Sequence, residues 1–558
     1  MKTIKYIATI AAMAIAMTSC GDLLDVHNPN YFTDDEMAEY IAENPDAENQ
    51  VLSGLTASLY SYIHLYNAAI NGGYSNSGAY ESYTEFRRQC QAGDIVEGDA
   101  LNPGDFTSWY QNLGSLNYWQ SSQTVYNYGY YYAPVLKIGA AQKALDFLTV
   151  ERCTTPKLKT NRAAALTLKA IGYLMLMERY TDLIDVESTT KQGWPIYDSY
   201  AYNAPVAPLS VADTWKWIND TFAEAAGLFH EADPANAGFT TGDEDLYDID
   251  CGVCQYYRCR AALDSHQWDI AIEAGKDVLA HVKGFMPASA YGMPYTKLAE
   301  VNNRFGVSAE YPEGKGWSAE YPANNNAFFN QEINPETLFG NSSKTSTDVY
   351  WSILGLNTLK NGPSGYYQVD KALYDQLSEN DCRKACILPE EFKGLNVFTY
   401  KDKDTTWFHY NVPAYTSLKW AATCGLDQTD HCIDNRYANS CYLRTSAVAL
   451  MLAEAYAQSG KDSEAKSTLN ELLAARTLPG KAAMTCDNSM SGKSVLDMVK
   501  LQWRIEMWGE GDWAFFNRKR WNETFTRGSN HWSTADVPTE GWTWQIPQTE
   551  RQGNPYWN

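Results

Sequence analysis

Residues 442–476 read YLRTSAVALMLAEAYAQSGKDSEAKSTLNELLAAR, and two helices back to back fit this pattern best. Apolar and small residues recur every three or four positions from Tyr442 to Gln458 and again from Ser463 to Arg476, the period of one helical face. Between the two runs, Gly460 is the residue type that ends a helix in the left-handed region. Ala453, Ala455 and Ala465 add little volume, so a leucine or aromatic ridge from a neighbouring helix can approach closely.

The same pattern extends outward from this hairpin. Helical spacing predicts helices over 48–70 (Val51, Leu55, Leu59, Ile63, Tyr66), 137–149, 162–184 (Ala165, Leu168, Tyr173, Leu176, Tyr180) and 211–230 (Trp215, Ile218, Phe222, Leu228). A further pair, 251–264 and 268–282, is joined around Ser265-His266-Gln267. Each pair is similar to a tetratricopeptide unit, in which stacking buries a face that no single unit can bury alone. The units are degenerate and interrupted. The expected fold is therefore mainly α, a degenerate tetratricopeptide-repeat helical scaffold with a loop-rich second lobe containing short strands. The scaffold is expected over about 48–283 and 440–510. Residues 71–136, 284–439 and 511–558, rich in Gly, Pro, Asn, Trp and Tyr, read as excursions from it. Loops held by rigid helices are where binding concentrates.

At the N-terminus, Lys2 and Lys5 precede an apolar run from Ile7 to Met17 that is too short to span a bilayer, which takes roughly 20 residues. Met17-Thr18-Ser19-Cys20 resembles a lipobox. Residues 1–19 therefore read as a removed lipoprotein signal peptide, Cys20 as the acylated N-terminus, and 20–558 as a single body. Attached lipid chains would hold that body at a membrane. The 558 residues carry a formal charge of −23, made more negative by loss of the two leader lysines. Such a surface repels nucleic acid and anionic headgroups.

Twelve cysteines cluster as Cys251, Cys254 and Cys259, as Cys382 and Cys386, and as Cys424 and Cys432 beside His431. They read as structural thiols or bridges. Cys251-x-x-Cys254 has no matching second pair for zinc, and no metal site or cofactor is expected. Asp243-Glu244-Asp245 with Asp248 and Asp250 lacks the glycine and terminal glutamate of a calcium loop and reads as a solvated acidic loop. No H-E-x-x-H, G-x-S-x-G or phosphate-cradling motif occurs. Glu506 and Glu510 suggest an acid pair, but arginine clamps on a glycine-hinged turn are the better reading. Aromatic residues crowd 106–132, among them Phe106, Trp109, Tyr110, Tyr118, Trp119 and Tyr126. The glycines and asparagines there argue against one continuous helix that buries all ten of its aromatics. A second group, Tyr311, Trp317, Tyr321, Phe328 and Phe329, lies among Gly, Pro and Asn. Flat rings with polar rims suit sugars, which present C–H faces and hydroxyl edges.

Several ordered motifs now add up: CGDLLD at 20–25, QAGDIVEGDALNPGDFTSWYQNLGSLNYWQ at 91–120, RAAALTLKAIGYLMLMERYTDL at 162–183, Asn334 to Phe339, Asp381-Cys382-Arg383, and the 442–476 pair. WRIEMWGEGDWAFFNRKRW at 503–521 is the most specific, with Arg504, Glu506, Gly509-Glu510-Gly511, Asn517, Arg520 and Trp521 in order. Ile546-Pro547-Gln548-Thr549-Glu550 and Asn554-Pro555 close the series. With these the chain resembles the SusD/RagB family of nutrient-binding outer-membrane lipoproteins. It departs at Trp503, where the family usually has arginine, and after Leu183, where a common Val-Pro-Leu is missing. The resemblance implies a surface-exposed lipoprotein of the outer membrane that binds an oligosaccharide without catalysis and delivers it to a SusC-like TonB-dependent transporter. It also implies Trp109, Tyr110, Trp317 and Tyr321 as stacking platforms, with Asp94, Arg87 and Asn112 as hydroxyl partners. A peptide-binding uptake lipoprotein, an envelope glycosidase and a purely structural repeat scaffold remain alternatives.

Overall fold

The computed structural model describes residues 125–200, 204–240, 248–292, 368–392, 440–489, 493–511, 513–524 and 542–557. Shorter pieces are described at 40, 44, 100–101, 294–295, 326–328, 334–341, 395–401, 407–412, 414–419 and 526–531. The predicted helix at 48–70 lies outside them.

The main helices are α1 (Val125–Phe147), α2 (Pro156–Tyr180), α3 (Val211–Ala232), α4 (Cys251–Asp264), α5 (Trp268–His281), α6 (Thr445–Gln458), α7 (Asp462–Ala475), α8 (Val495–Glu506), α9 (Trp513–Trp521) and the short α10 (Gln548–Gly553). Their starts follow local chemistry. Thr155 caps α2 ahead of Pro156, Ser210 caps α3 and Asp250 caps α4. Ser494 and Asp497 form a reciprocal capping box on α8. Each cap satisfies amide donors that have no partner inside the helix.

Consecutive helices from α1 to α5 pack against one another, and α6 packs on α7 and α8. α5 also packs directly on α6, although residues 284–439 separate them in sequence. One helical stack therefore runs through, with that long excursion inserted between two neighbours. α6 sits inside it, buried from Thr445 to Ala455. α1 and α2 cross tightly at Gly172, where an added Cβ would lie 2.6 Å from Ile138 Cγ1 and 2.9 Å from the Pro134 carbonyl. Among the described residues no helix is long and apolar enough to cross a membrane.

Two elements differ from the sequence expectation. α1 begins at Val125, well ahead of the predicted start at 137, and takes in the end of the aromatic stretch. Tertiary contacts outweigh the weak propensities of Asn127 and Gly129. Asn127 donates to the Gln545 carbonyl at 2.7 Å and accepts from the Tyr180 hydroxyl at 2.6 Å. Tyr130 packs edge-on against Trp544 beneath the Arg179 guanidinium, and Tyr131 donates to Glu550. These tyrosines are core. Tyr442 to Arg444, expected to open a helix, instead belong to β6 (Ser440–Arg444), which pairs antiparallel with β2 (Thr337–Asn341).

The remaining strands form small antiparallel pairs: β1 (Ala100–Leu101) with β3 (Gln368–Val369), and β4 (Leu395–Lys401) with β5 (Trp407–Val412). Cys251, Cys254, Cys259, Cys382, Cys386 and Cys441 are buried thiols without a disulfide. Asp250 is occupied as a helix cap, accepting from the amides of Val253 and Thr240.

Candidate functional site

All seven residues singled out for ligand contact, Arg87, Asp94, Trp109, Tyr110, Asn112, Trp317 and Tyr321, lie outside the described residues, as does Cys20. The described structure gives the points where the segments carrying them are fastened. The early segment enters through β1, paired with β3 in the register Ala100↔Val369 and Leu101↔Gln368. On its other side β3 meets a buried ribbon, residues 414–419. The Val369 amide donates to the Tyr415 carbonyl at 2.8 Å, and Gln368 Nε2 to the Ala414 carbonyl at 2.6 Å. The C-terminal segment arrives here too. Asn530 donates to the Val369 carbonyl at 3.0 Å, and the Gly528 amide to Asp370 Oδ2 at 2.6 Å. All three segments read as excursions thus meet at β3.

The mid-chain segment has a second anchor at Asn326 to Phe328. Asn326 Nδ2 donates to the Lys419 carbonyl at 3.0 Å, and the Ala327 amide to the Ala290 carbonyl at 2.9 Å. The Phe328 ring lies edge-on to Tyr291, with Lys419 Nζ 5.1 Å and the Arg444 guanidinium 5.4 Å from its centroid. Cations over ring faces in a dry site hold the aromatic side chains in place.

Those cations belong to a buried charge cluster. Glu506, at the end of α8, accepts from Arg444 Nη1 at 2.6 Å, Arg476 Nη2 at 2.7 Å and Arg383 Nη1 at 3.0 Å. Glu336 accepts from Arg476 Nη2 at 2.6 Å, Arg444 Nη1 at 2.8 Å, the Met286 amide at 2.6 Å and the Ser446 hydroxyl. Glu510 takes Arg444 and Lys419, and Lys419 Nζ also donates to the carbonyls of Glu506 and Trp508 at 2.9 and 2.7 Å. Asp381 closes the set with a two-pronged ion pair to Arg383. Four cations face four carboxylates, so the cluster is neutral as a unit. Burial alone would raise the Glu506 carboxyl, but Arg476, Arg444 and Arg383 override it and hold it well below its ordinary value. Glu336 is held down in the same way by Arg476 and Arg444. Burial lowers Lys419 to about 8 against the pull of Glu510.

Chemically this cluster fixes geometry. Glu506 is sealed from solvent, Glu510 is largely covered, and both are committed to cations, so they serve as clamps and not as an acid pair. A second buried carboxyl, Glu178, is pushed up to about 8 by burial, with Asp264 adding to the rise against Arg260. A raised carboxyl is the hallmark of a glycosidase acid when it faces a cleft. Glu178 and Asp264 are each only 1% exposed, which keeps substrate away. Glu454 accepts from Arg520, Trp503 Nε1 and Trp521 Nε1, locking α6 to α8 and α9.

Sequence motifs pointed to Glu336, Asp381, Arg383, Glu506 and Glu510. They missed Lys419, Arg444 and Arg476, the partners supplied from the ribbon, β6 and the end of α7. The signal available was basic residues within or flanking stretches otherwise apolar, a position where charge must be paired.

The family model described as the SusD family matches residues 335–555. No curated protein matches the chain. Among solved structures, a SusD-like carbohydrate binding protein from Bacteroides vulgatus superposes with a TM-score of 0.60 at 17% identity, over 91% of this chain and 97% of its own. A SusD superfamily protein from Bacteroides thetaiotaomicron gives 0.58 at 15%, over 90% and 98%. One from Bacteroides fragilis gives 0.58 at 16%, over 91% and 99%. The chain shares their fold.

Proposed function

We propose that this chain, whose residues 335–555 match the SusD family model, captures an oligosaccharide without catalysis and passes it to a SusC-like TonB-dependent transporter in the outer membrane. Cys20, acylated once residues 1–19 are removed, tethers it to that membrane with the body exposed at the cell surface. Trp109, Tyr110, Trp317 and Tyr321 stack on the sugar's C–H faces, while Arg87, Asp94 and Asn112 take its hydroxyls. The body docks on the transporter as a lid, and the transporter's energised partner complex drives uptake.

The observation that carries this reading is the convergence on β3 and the ribbon at 414–419. Excursions far apart in sequence are tied to one rigid base, as preorganised binding by loops requires. The buried commitment of Glu506 and Glu510 favours binding over hydrolysis. A charge of −23 disfavours an anionic glycan.

Isothermal titration of the purified protein against neutral polysaccharides, acidic polysaccharides and peptide pools tests it. A neutral glycan is expected to bind, and Trp109→Ala or Trp317→Ala to weaken binding by several-fold to about tenfold, in line with losing a ring worth roughly 0.5–1.5 kcal/mol beyond its buried area. Retention of peptides alone, or release of reducing ends on prolonged incubation, overturns the proposal.

A further inference from the structure

α3, α4 and α5 bring three metal-ligating side chains together at one end of the stack, apart from the cluster around Glu506. His230 stands in the last turn of α3, Cys251 is the first residue of α4, and Asp277 lies one turn before the end of α5. Their ligand atoms all fall within 4.8 Å of one another. His230 Nε2 is 3.4 Å from Cys251 Sγ and 3.4 Å from Asp277 Oδ2. Two ligand atoms about 2.0–2.3 Å from a tetrahedral ion stand roughly 3.4–3.6 Å apart, given the bond lengths of zinc to nitrogen, oxygen and sulfur. The two His230 separations match what a shared ion imposes, and Cys251 Sγ and the Asp277 carboxylate lie within the same 4.8 Å span.

The groups behind these ligands are also fixed. Gln255 Nε2 donates to Asp277 Oδ2 at 2.7 Å, orienting the carboxylate. His281 Nδ1 lies 3.6 Å from Asp277 Oδ1, and its ring stacks on Phe239 at 4.2 Å. The Cys251 amide donates to the Gly238 carbonyl at 3.0 Å, and Asp250 caps the helix that begins there. Outer partners of this kind tune metal affinity. Cys251 is fully buried, whereas the His230 side chain is 41% exposed, which leaves a way in.

We propose that His230 Nε2, Cys251 Sγ and an Asp277 carboxylate oxygen bind one Zn2+, with a water in the fourth position. A thiolate with an imidazole and a carboxylate selects a borderline-soft ion over Ca2+ or Mg2+. On binding, the Cys251 thiol gives its proton to solvent as the sulfur–zinc bond forms. The ion clamps the ends of three consecutive helices. The cysteine spacing alone argued against zinc, because the other two ligands come from neighbouring helices.

Cobalt makes the site visible. Chelator-stripped protein titrated with Co2+ is expected to develop intense tetrahedral visible bands and a near-ultraviolet thiolate-to-cobalt charge-transfer band, both bleached by one equivalent of Zn2+. Cys251→Ala is expected to lose the charge-transfer band. His230→Gln, at a half-exposed position that leaves packing intact, is expected to lower Zn2+ affinity by roughly a hundredfold or more, given that even outer-partner losses cost 10–100-fold. It should also abolish the Zn2+-induced rise in Tm. Absence of the charge-transfer band, or unchanged Zn2+ affinity in His230→Gln, overturns the proposal and leaves a hydrogen-bonded Cys–His–Asp group.

Discussion

Glu506 contacts three arginines and is fully buried, so its charge is part of the fold. Removing one partner of a buried pair leaves the others uncompensated, at a cost of about 3–5 kcal/mol. Glu506→Gln is expected to lose that much in urea denaturation, and unchanged stability would contradict the clamp. The pH sign follows from the depressed carboxyls of Glu506 and Glu336. Their folded values lie below the unfolded ones, so their stabilising contribution is complete above about pH 4.5 and is lost as pH falls through the folded values. Glu178 acts oppositely. Its folded value of about 8 makes its contribution complete below about pH 4.5 and lost as pH rises toward 8. Glu178→Gln is therefore expected to flatten the fall in Tm over that upper window while leaving acid unfolding in place; an unchanged Tm profile would refute the assignment. At this scale the sequence showed which acids matter, through short motifs such as Asp381-Cys382-Arg383. It did not show their partners, since Arg444 and Arg476 reach Glu506 only after β6 and α7 have formed.

The two clearest hairpins turn by the same device. After α6, the Lys461 amide donates to the Tyr456 carbonyl and the Gly460 amide to the Ala457 carbonyl, with Gly460 at φ 71°. After α4, the Gln267 amide reaches Ala262 and the His266 amide Leu263, with His266 at φ 58°. This is the Schellman pairing, legible at Gly460 because glycine favours that conformation, and hidden at His266, which pays no such signal. A Cβ at Gly460 would meet nothing within 4 Å, so only backbone strain opposes it. Gly460→Ala is expected to destabilise by about 1 kcal/mol, the cost of a left-handed side-chain residue, read as a shift in the urea midpoint. No shift would mean that the turn relaxes. Helix centres were readable for the same reason that caps were, through local chemistry. The ends that failed, Val125 and Tyr442 to Arg444, are those decided by distant contacts: Tyr180 and Gln545 for α1, and the β2 pairing for β6.

Across the whole molecule, the charge cluster draws on both sides of the insertion. Arg444, Arg476, Glu506 and Glu510 come from scaffold elements, while Glu336, Asp381, Arg383 and Lys419 come from the excursion. Each side carries two cations and two carboxylates, but the pairs Arg444–Glu336, Arg476–Glu336, Arg383–Glu506 and Lys419–Glu510 cross between them, so excursion and stack hold each other's buried charges. Irregular chain ordinarily opens locally and exchanges its amides quickly. Here the ribbon at 414–419 is buried throughout, and its Tyr415 and Leu418 amides each donate at 2.6 Å to the carbonyls of Leu388 and Cys386. Hydrogen exchange should therefore find the Tyr415, Leu418 and Val369 amides as slow as those within α6. Glu506→Gln should speed all of them together, because Arg444, Arg476 and Arg383 lose the carboxylate they share. Fast exchange of the ribbon in the unmodified protein, with α6 still protected, would separate the two lobes energetically and remove the rigid base on which the proposed ligand loops depend.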